Sequence, residues 1–222
     1  MSDSEFITKL LDIKQPMEYQ PNRYSTITLL LIGARKLFGC NLETGKYEKQ
    51  ELNETNFTDG TYHSFQFSGL INYLIFLEQI GSIFRPKNPI SALTKSNGIY
   101  CALKYFSELS CDTKIGAIVS LRNSLAHKFG LATEKNPKSK PPRKFILSSE
   151  RNQDVVNLPI KDWDGVFSDK SDTTSTTIYI IDLVNEIEKV YKQLKEENSK
   201  NNLEILLKDE LCELKARYTI IS

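Results

Sequence analysis

The stretch from Ser64 to Phe84 constrains the fold more than any other part of the sequence, because its apolar residues occur on most sides of a helix. A helix of this kind has no polar face to turn toward water, so other elements must cover it. We therefore predict a central helix inside a helical bundle. Its large apolar side chains are Phe65, Phe67, Leu70, Ile71, Leu74, Ile75, Leu77 and Ile80.

Helical spacing and stop signals predict further helices on both sides of the central one. Gly39 is typical of a helix end, and Asn88-Pro89 is typical of a helix start that the Ser96-Asn97-Gly98 step can interrupt. The polar segment from Asn41 to Gly60 is expected to be a loop. The last two predicted helices would form a C-terminal hairpin. The predicted helices cover residues 6–13, 25–38, 89–109, 112–129, 181–193 and 203–214.

A change of composition after residue 135 predicts a small β insertion. Residues 136–144 read NPKSKPPRK, where three prolines exclude a helix and favour an exposed linker. Residues 144–148 and 154–158 are expected to pair as a hairpin, and 176–181 to form a third strand or the entry to the next helix. We therefore predict one mainly α domain, with a helical bundle at 1–135 and 178–222 and a β-hairpin insertion within 136–177.

Composition excludes several classes of protein. The 29 basic and 28 acidic residues leave a net charge of +1, so the chain cannot hold nucleic acid by bulk charge alone. Four separated cysteines and two histidines show no zinc-ligand spacing, so no metal or cofactor is expected. The start of the chain does not resemble a secretory signal, and the apolar runs are too short to span a bilayer. We expect a cytoplasmic protein with no membrane partner.

The helix predicted over 112–129 places two kinds of residue where a purely structural helix would not need them. On an ideal helix Arg122 falls in the middle of an arc that contains Ile118, Leu125 and Phe129. A buried guanidinium in that arc needs an anion or acceptors. The opposite side is predicted to carry a strip of small and polar residues that suits an interface. This strip consists of Gly116, Ser120, Asn123, Ser124 and His127.

The residues Arg122-Asn123-x-x-x-His127 resemble the signature of the HEPN family, in which an arginine and a polar residue precede a histidine by a few positions. The resemblance covers roughly residues 20 to 130 and the C-terminal helices, but the specific match is this single motif. It implies an all-helical, usually dimeric fold. It also implies a metal-independent ribonuclease of the toxin or phage-defence type, with RNA as substrate and an antitoxin or regulatory protein as a further partner.

The chemistry of RNA makes such a site plausible without a metal. The 2′-OH of RNA is an internal nucleophile, so cleavage to a 2′,3′-cyclic phosphate and a 5′-OH needs proton transfer and stabilisation of charge. His127 is the candidate general acid or base, and Arg122 is the candidate phosphate ligand. Asn123 is expected to orient one of them. Because Arg122 and His127 lie about 140° apart around an ideal helix, we predict a homodimer that joins two copies of the motif helix.

Two neighbouring features qualify this prediction. HEPN toxins that are modified by a minimal nucleotidyltransferase usually carry a tyrosine two residues after the histidine, whereas this chain has Phe129, which we expect to pack in the core. A basic cluster follows the motif helix and is predicted either to guide RNA or to be a solvated linker. Its predicted RNA-binding residues are Lys138, Lys140, Arg143 and Lys144.

Other interpretations of the motif remain open at the level of sequence. The first alternative is a non-catalytic HEPN-like module that binds RNA, a nucleotide or a protein through the same strip. The second is an all-helical interaction protein, in which Arg122 pairs with a carboxylate and His127 is a surface residue near a helix end. The ribonuclease and the non-catalytic module require the same residues, so the sequence does not separate these two.

Overall fold

The computed structural model describes residues 2–14, 23–48, 59–89, 93, 97–133 and 141–221. These residues are mainly helical with small sheets, which confirms the predicted class at that level. The helices are α1 (Asp3–Leu10), α2 (Thr26–Phe38), α3 (Asp59–Ile83), α4 (Gly98–Phe106), α5 (Asp112–Lys128), α6 (Ile180–Ser199) and α7 (Glu210–Tyr218). The strands are β1 (Arg23–Ser25), β2 (Phe84–Pro86), β3 (Lys144–Ser148), β4 (Val156–Asn157), β5 (Ser175–Tyr179), β6 (Leu203–Ile205) and β7 (Thr219–Ile221).

Internal contacts divide the chain into two compact units. The first unit combines Met1–Glu108 with Ile187–Ser222, and the second comprises Leu109–Glu186. The motif helix α5 belongs to the second unit, together with strands β3, β4 and β5. A single domain made of a bundle and an insertion stays a prediction.

The first unit is built around α3, as its apolar pattern predicts. Tyr73, Leu74 and Leu77 of this helix are fully or almost fully buried. Helix α2 packs against α3, and α4 packs against α3 as well. Short-range signals set the ends of α2: the Ser25 hydroxyl accepts a hydrogen bond from the Thr28 backbone N–H, and Gly39 takes the left-handed conformation at φ 85°. The predicted burial is therefore confirmed for Leu70, Leu74, Leu77 and Ile80, whereas Phe65 is 43% exposed.

Helix α4 begins at Gly98, at the predicted Ser96-Asn97-Gly98 step, because the Asn97 side chain accepts a hydrogen bond from the Ile99 N–H and caps the helix there. Most of the predicted segment between Pro89 and Gly98 lies outside the described residues. Residues 203–205 form strand β6, which pairs antiparallel with β2 and is held by a two-point ion pair between Arg85 and Glu204. The predicted helix over 203–214 was therefore wrong at its start, because the last helix, α7, begins at Glu210.

The second unit contains a three-stranded sheet in the order β3-β5-β4. The predicted hairpin between β3 and β4 was wrong, because β5 lies between them, parallel to β3 and antiparallel to β4. Strand β5, with the sequence STTIY, is rich in β-branched residues and buries Thr176 and Ile178, so it suits the central position. Helix α5 packs against β4, and the Lys114 ammonium lies 2.7 Å from an Asp154 carboxylate oxygen.

None of the helices in the described part of the chain combines the length and the apolar character needed to cross a lipid bilayer.

Candidate active site at the end of helix α5

The surface of α5 differs from the strip that the sequence predicted. Ser120 and Ser124 are buried, whereas Ala126 is exposed. Three residues that are not buried are separated by seven and four positions, which brings them above one another on one side of the helix. This polar line consists of Gly116, Asn123 and His127.

The polar line is accessible at its two ends, although the buried Ser120 lies between Gly116 and Asn123 on the same side of the helix. Asn123 and His127 are exposed, and a side chain built at Gly116 would meet no described atom within 4 Å. The absence of a side chain at Gly116 thus leaves the backbone of α5 approachable beside the two polar residues. The prediction of an accessible surface on α5 therefore holds for Asn123 and His127. It does not hold for Ser120 and Ser124, which are buried.

The guanidinium of Arg122 reaches the polar line through its neighbour. The Arg122 side chain is half-buried, and its Nη1 donates a hydrogen bond of 3.3 Å to Oδ1 of Asn123. The Cα–Cβ bonds of Arg122 and His127 leave the helix in different directions, but the long arginine side chain extends around the axis. The charged end of Arg122 therefore lies next to Asn123, one helical turn before His127.

His127 lies in the last turn of α5, where its imidazole is exposed. Within the described part of the chain, this imidazole makes no hydrogen bond and no ion pair. Both ring nitrogens are therefore available to an external group. An exposed imidazole with two available nitrogens can give or take a proton, which is the property that acid-base catalysis needs.

The turn after α5 has a conformation that the sequence did not predict. Phe129, and not Gly130, takes the left-handed conformation, with φ 49°. The Phe129 side chain is 77% exposed, so the expectation that its ring packs in the core was wrong. Backbone bonds close the turn: the Phe129 N–H donates to the Leu125 carbonyl, and the Gly130 N–H lies 3.4 Å from the Ser124 carbonyl.

The buried hydroxyl of Ser124 holds this turn in place. Its Oγ lies 2.8 Å from the Gly130 carbonyl oxygen and 2.9 Å from the Ala132 carbonyl oxygen. The side chain is only 3% exposed, so neither contact competes with much solvent. The chain that leaves α5 is therefore fastened to the helix beside His127, and the segment 130–132 runs back along its last turn.

The segment after the turn pairs with the last two residues of the basic cluster. The Phe145 N–H donates to the Leu131 carbonyl, and the Thr133 N–H donates to the Arg143 carbonyl, each at 2.8 Å. Ala132 and Lys144 face each other in an antiparallel bridge. Two of the predicted RNA-binding residues, Arg143 and Lys144, are thus held next to the chain that leaves the motif helix.

The two residues differ in what their charged groups contact. The Lys144 ammonium lies 2.9 Å from the carbonyl oxygens of both Asp169 and Ser171, and 3.6 Å from the Asp169 carboxylate. It therefore fastens the loop before β5. Burial lowers the pKa of the Arg143 guanidinium, and the charge of Asp162 opposes this effect. The buried Nε of Arg143 has no hydrogen-bond partner among the described residues.

Lys138 and Lys140, the other two predicted RNA-binding residues, lie outside the described residues.

A second polar cluster, in the first unit, was missed by the sequence analysis. Arg35 is 1% exposed, and its guanidinium makes a two-point contact of 2.8 and 2.6 Å with the Glu188 carboxylate. Tyr73 donates to the same carboxylate at 2.8 Å, and the Leu42 carbonyl accepts from Arg35 at 2.6 Å. The signal in the sequence was an arginine inside the apolar run of α2. All polar ends of this cluster are engaged internally, which indicates a structural role.

The described residues contain no group of three or more His, Cys, Asp or Glu side chains that could hold a metal ion. Comparisons with models of protein families, with curated proteins and with solved structures found no match to the chain. The geometry of α5 and the turn after it, together with the motif, therefore carry the functional assignment.

Proposed function

We propose that this protein is a metal-independent endoribonuclease of the HEPN type, with Arg122, Asn123 and His127 as its active site. The observation that carries this proposal is the hydrogen bond from Arg122 to Asn123, which brings a guanidinium to the polar line where His127 is exposed. A phosphate ligand and an imidazole that can exchange a proton then share one accessible surface. The biological role that fits is a toxin or phage-defence effector, controlled by an antitoxin or another regulatory protein.

The proposed reaction is an internal transesterification. The 2′ oxygen of RNA attacks the adjacent phosphorus, a bond forms between them, and the bond from phosphorus to the 5′ oxygen breaks. His127 in its protonated form donates a proton to the leaving 5′ oxygen. Arg122 binds the non-bridging phosphate oxygens and stabilises the charge that develops on them. Asn123 keeps the guanidinium on the polar line.

A second base must accept the proton of the 2′-OH. A second copy of the chain would supply it through His127 of the partner subunit if two α5 helices faced each other. The open backbone at Gly116 supports this arrangement, because a glycine with no atom nearby lets another helix approach closely. We therefore propose a homodimer with the polar line at its interface. Light scattering at micromolar concentration should give twice the mass of one chain, and a monomer alone would argue against this form of the mechanism.

The decisive experiment is cleavage of a structured RNA in excess EDTA, followed by analysis of the product ends. Wild-type protein should leave 2′,3′-cyclic phosphate and 5′-OH ends. Arg122→Ala and His127→Ala should each reduce the cleavage rate by about 100-fold or more, as expected for loss of a charge-stabilising group or a general acid.

The chain offers a matched control for each substitution. His63 is the other histidine, and Arg151 is an exposed arginine outside α5. His63→Ala and Arg151→Ala should cleave like the wild type. Cleavage that survives in His127→Ala, or that stops in EDTA, would contradict the proposal. Binding of RNA without cleavage would instead favour the non-catalytic module.

The basic residues beyond the motif are expected to contribute unequally to RNA binding. Arg143 remains a predicted RNA ligand, which the backbone pairing with Thr133 holds next to the chain that leaves α5. Lys138 and Lys140 remain predicted RNA ligands. Lys144 contributes less, because its ammonium is already held by the loop before β5. Charge reversal at Lys138 and Lys140 should weaken RNA binding more at low salt than at high salt.

A further inference from the structure

Phe129 combines two properties that are unfavourable for an ordinary surface residue. Its large aromatic side chain is 77% exposed, and its backbone has φ 49°, in the left-handed region that bulky residues seldom adopt. Glycine adopts this region easily, yet the neighbouring Gly130 does not take it. The turn therefore places a phenylalanine where a glycine would cost less.

The rest of the turn keeps Phe129 in this conformation. Ser124 contacts the carbonyls of Gly130 and Ala132, and the Leu131 carbonyl is bonded to strand β3 through the Phe145 N–H. Residues 130–132 are thus bonded both to helix α5 and to strand β3. The backbone of Phe129 cannot leave the left-handed region unless these bonds break. Strained residues that are held by their surroundings occur preferentially at functional sites.

The surroundings of the ring resemble a site for single-stranded nucleic acid. His127 and Lys128 precede Phe129 directly, and both are exposed. Two residues of chain span at most about 7 Å, so the ring lies within about one nucleotide of the proposed general acid. An aromatic ring beside basic groups is the combination that binds a base by stacking and its phosphate by charge.

We propose that Phe129 stacks on a nucleobase of the RNA substrate next to the scissile phosphate, an inference that rests on the proposed ribonuclease function. The ring accepts any base, because every base has an aromatic face, so it selects unpaired RNA rather than a particular sequence. A second copy of the chain is the competing occupant of this ring. The exposed Lys128 next to the ring favours RNA, because the backbone of RNA is anionic.

Binding of a short 2′-O-methyl oligoadenylate tests the inference, because this RNA lacks the nucleophile and is not cleaved. Phe129→Leu keeps an apolar side chain without an aromatic face and should bind about 5- to 150-fold more weakly, the range for loss of one stacked base. Phe129→Trp should bind like the wild type. Phe167→Leu removes another exposed aromatic residue of the same unit and should leave binding unchanged.

Two further measurements exclude a merely structural role. An oligonucleotide of equal charge with abasic positions should bind equally to the wild type and to Phe129→Leu. The tryptophan of Phe129→Trp should emit as a solvent-exposed residue without RNA and be quenched by the oligoadenylate. The single native tryptophan, Trp163, is buried, and the wild type supplies its background signal.

Three outcomes would overturn the inference in distinguishable ways. A wild type that neither binds nor cleaves RNA would remove the proposed function, and the inference with it. A wild type that cleaves RNA while Phe129→Leu binds the oligoadenylate equally well would remove the inference alone. Shielded emission from Phe129→Trp without RNA, together with dissociation of a dimer by Phe129→Leu, would assign the ring to a second copy of the chain.

Discussion

The Nη1 of Arg122 donates a 3.3 Å hydrogen bond to Oδ1 of Asn123, the next residue along α5. Adjacent side chains on a helix leave the axis about 100° apart, so this contact draws the guanidinium out of the direction of its own Cα–Cβ bond. Asn123 therefore holds the guanidinium of Arg122 on the side of α5 where His127 is also exposed. The angle of about 140° between Arg122 and His127 on an ideal helix suggested that their functional groups lie far apart. The length of the arginine side chain reduces this distance.

Substitution of Asn123 should separate positioning from charge. Asn123→Ala removes the acceptor for Arg122, and we expect cleavage to fall about 10-fold, less than for Arg122→Ala. Asn123→Asp should be more damaging, because a carboxylate binds the guanidinium more strongly and repels the substrate phosphate. Single-turnover cleavage rates measure both effects. Since Asn123 is exposed, both variants should unfold at the same urea concentration as the wild type. Equal cleavage by Asn123→Asp and the wild type would show that Asn123 does not position Arg122.

The two buried serines of α5 should differ in their importance for stability. Ser124→Ala leaves the carbonyls of Gly130 and Ala132 without this partner and should cost about 1–3 kcal/mol in the free energy of unfolding. Ser120→Ala is the matched control, because among the described residues the Ser120 hydroxyl bonds only to the Gly116 carbonyl of the same helix, at 2.8 Å. It should cost less than about 1 kcal/mol. Urea denaturation measures both values, and equal losses would contradict the role assigned to Ser124.

The buried pair of Arg35 and Glu188 predicts strong energetic coupling. Arg35→Met or Glu188→Leu alone leaves one charge buried without its partner and should destabilise the chain by about 3–5 kcal/mol. The double variant removes both charges, so it should lose less than the sum of the single variants. Urea denaturation of all four proteins gives the coupling energy. Additive losses would show that the contact contributes little to stability.

Thiol reactivity should distinguish the four cysteines. Cys40 and Cys101 are buried, whereas Cys111 and Cys212 are exposed. Iodoacetamide at pH 8 should therefore modify Cys111 and Cys212 in the native protein, and the other two only after unfolding. Peptide mass spectrometry identifies the modified positions. Rapid labelling of Cys40 in the native protein would contradict the packing between α2 and α3.

The Cys40 thiol also predicts a dependence of stability on pH. Burial raises its pKa from 9.0 to about 11, so the folded state holds this proton more tightly than the unfolded state does. The resulting stability is fully present below pH 9.0 and is lost as the pH rises toward 11. Urea denaturation at several pH values between these limits should show the decline. Cys40→Ala should make that decline less steep, and an unchanged slope would assign it to other groups.

The sequence determined the position and burial of helices that depend on residues close together in the chain. The apolar pattern of α3 predicted the burial of most of its large side chains, and Gly39 predicted the end of α2. The motif helix was placed correctly for the same reason. Its end was not, because the left-handed conformation of Phe129 goes with the contacts of Ser124 to Gly130 and Ala132, which the backbone preference of Gly130 does not reveal.

Tertiary structure alone decided the features that depend on partners distant in the chain. Strand β5 lies between β3 and β4, although it is distant from β3 in the sequence. Nearness in the sequence suggested that β3 and β4 pair with each other. Arg35 finds Glu188 across 153 positions, and no periodic pattern records such a pairing. For the candidate site, the sequence determined the residue types and their spacing on one helix. Only the folded chain decided that Ser120 and Ser124 are covered and that Asn123, His127 and Phe129 face solvent.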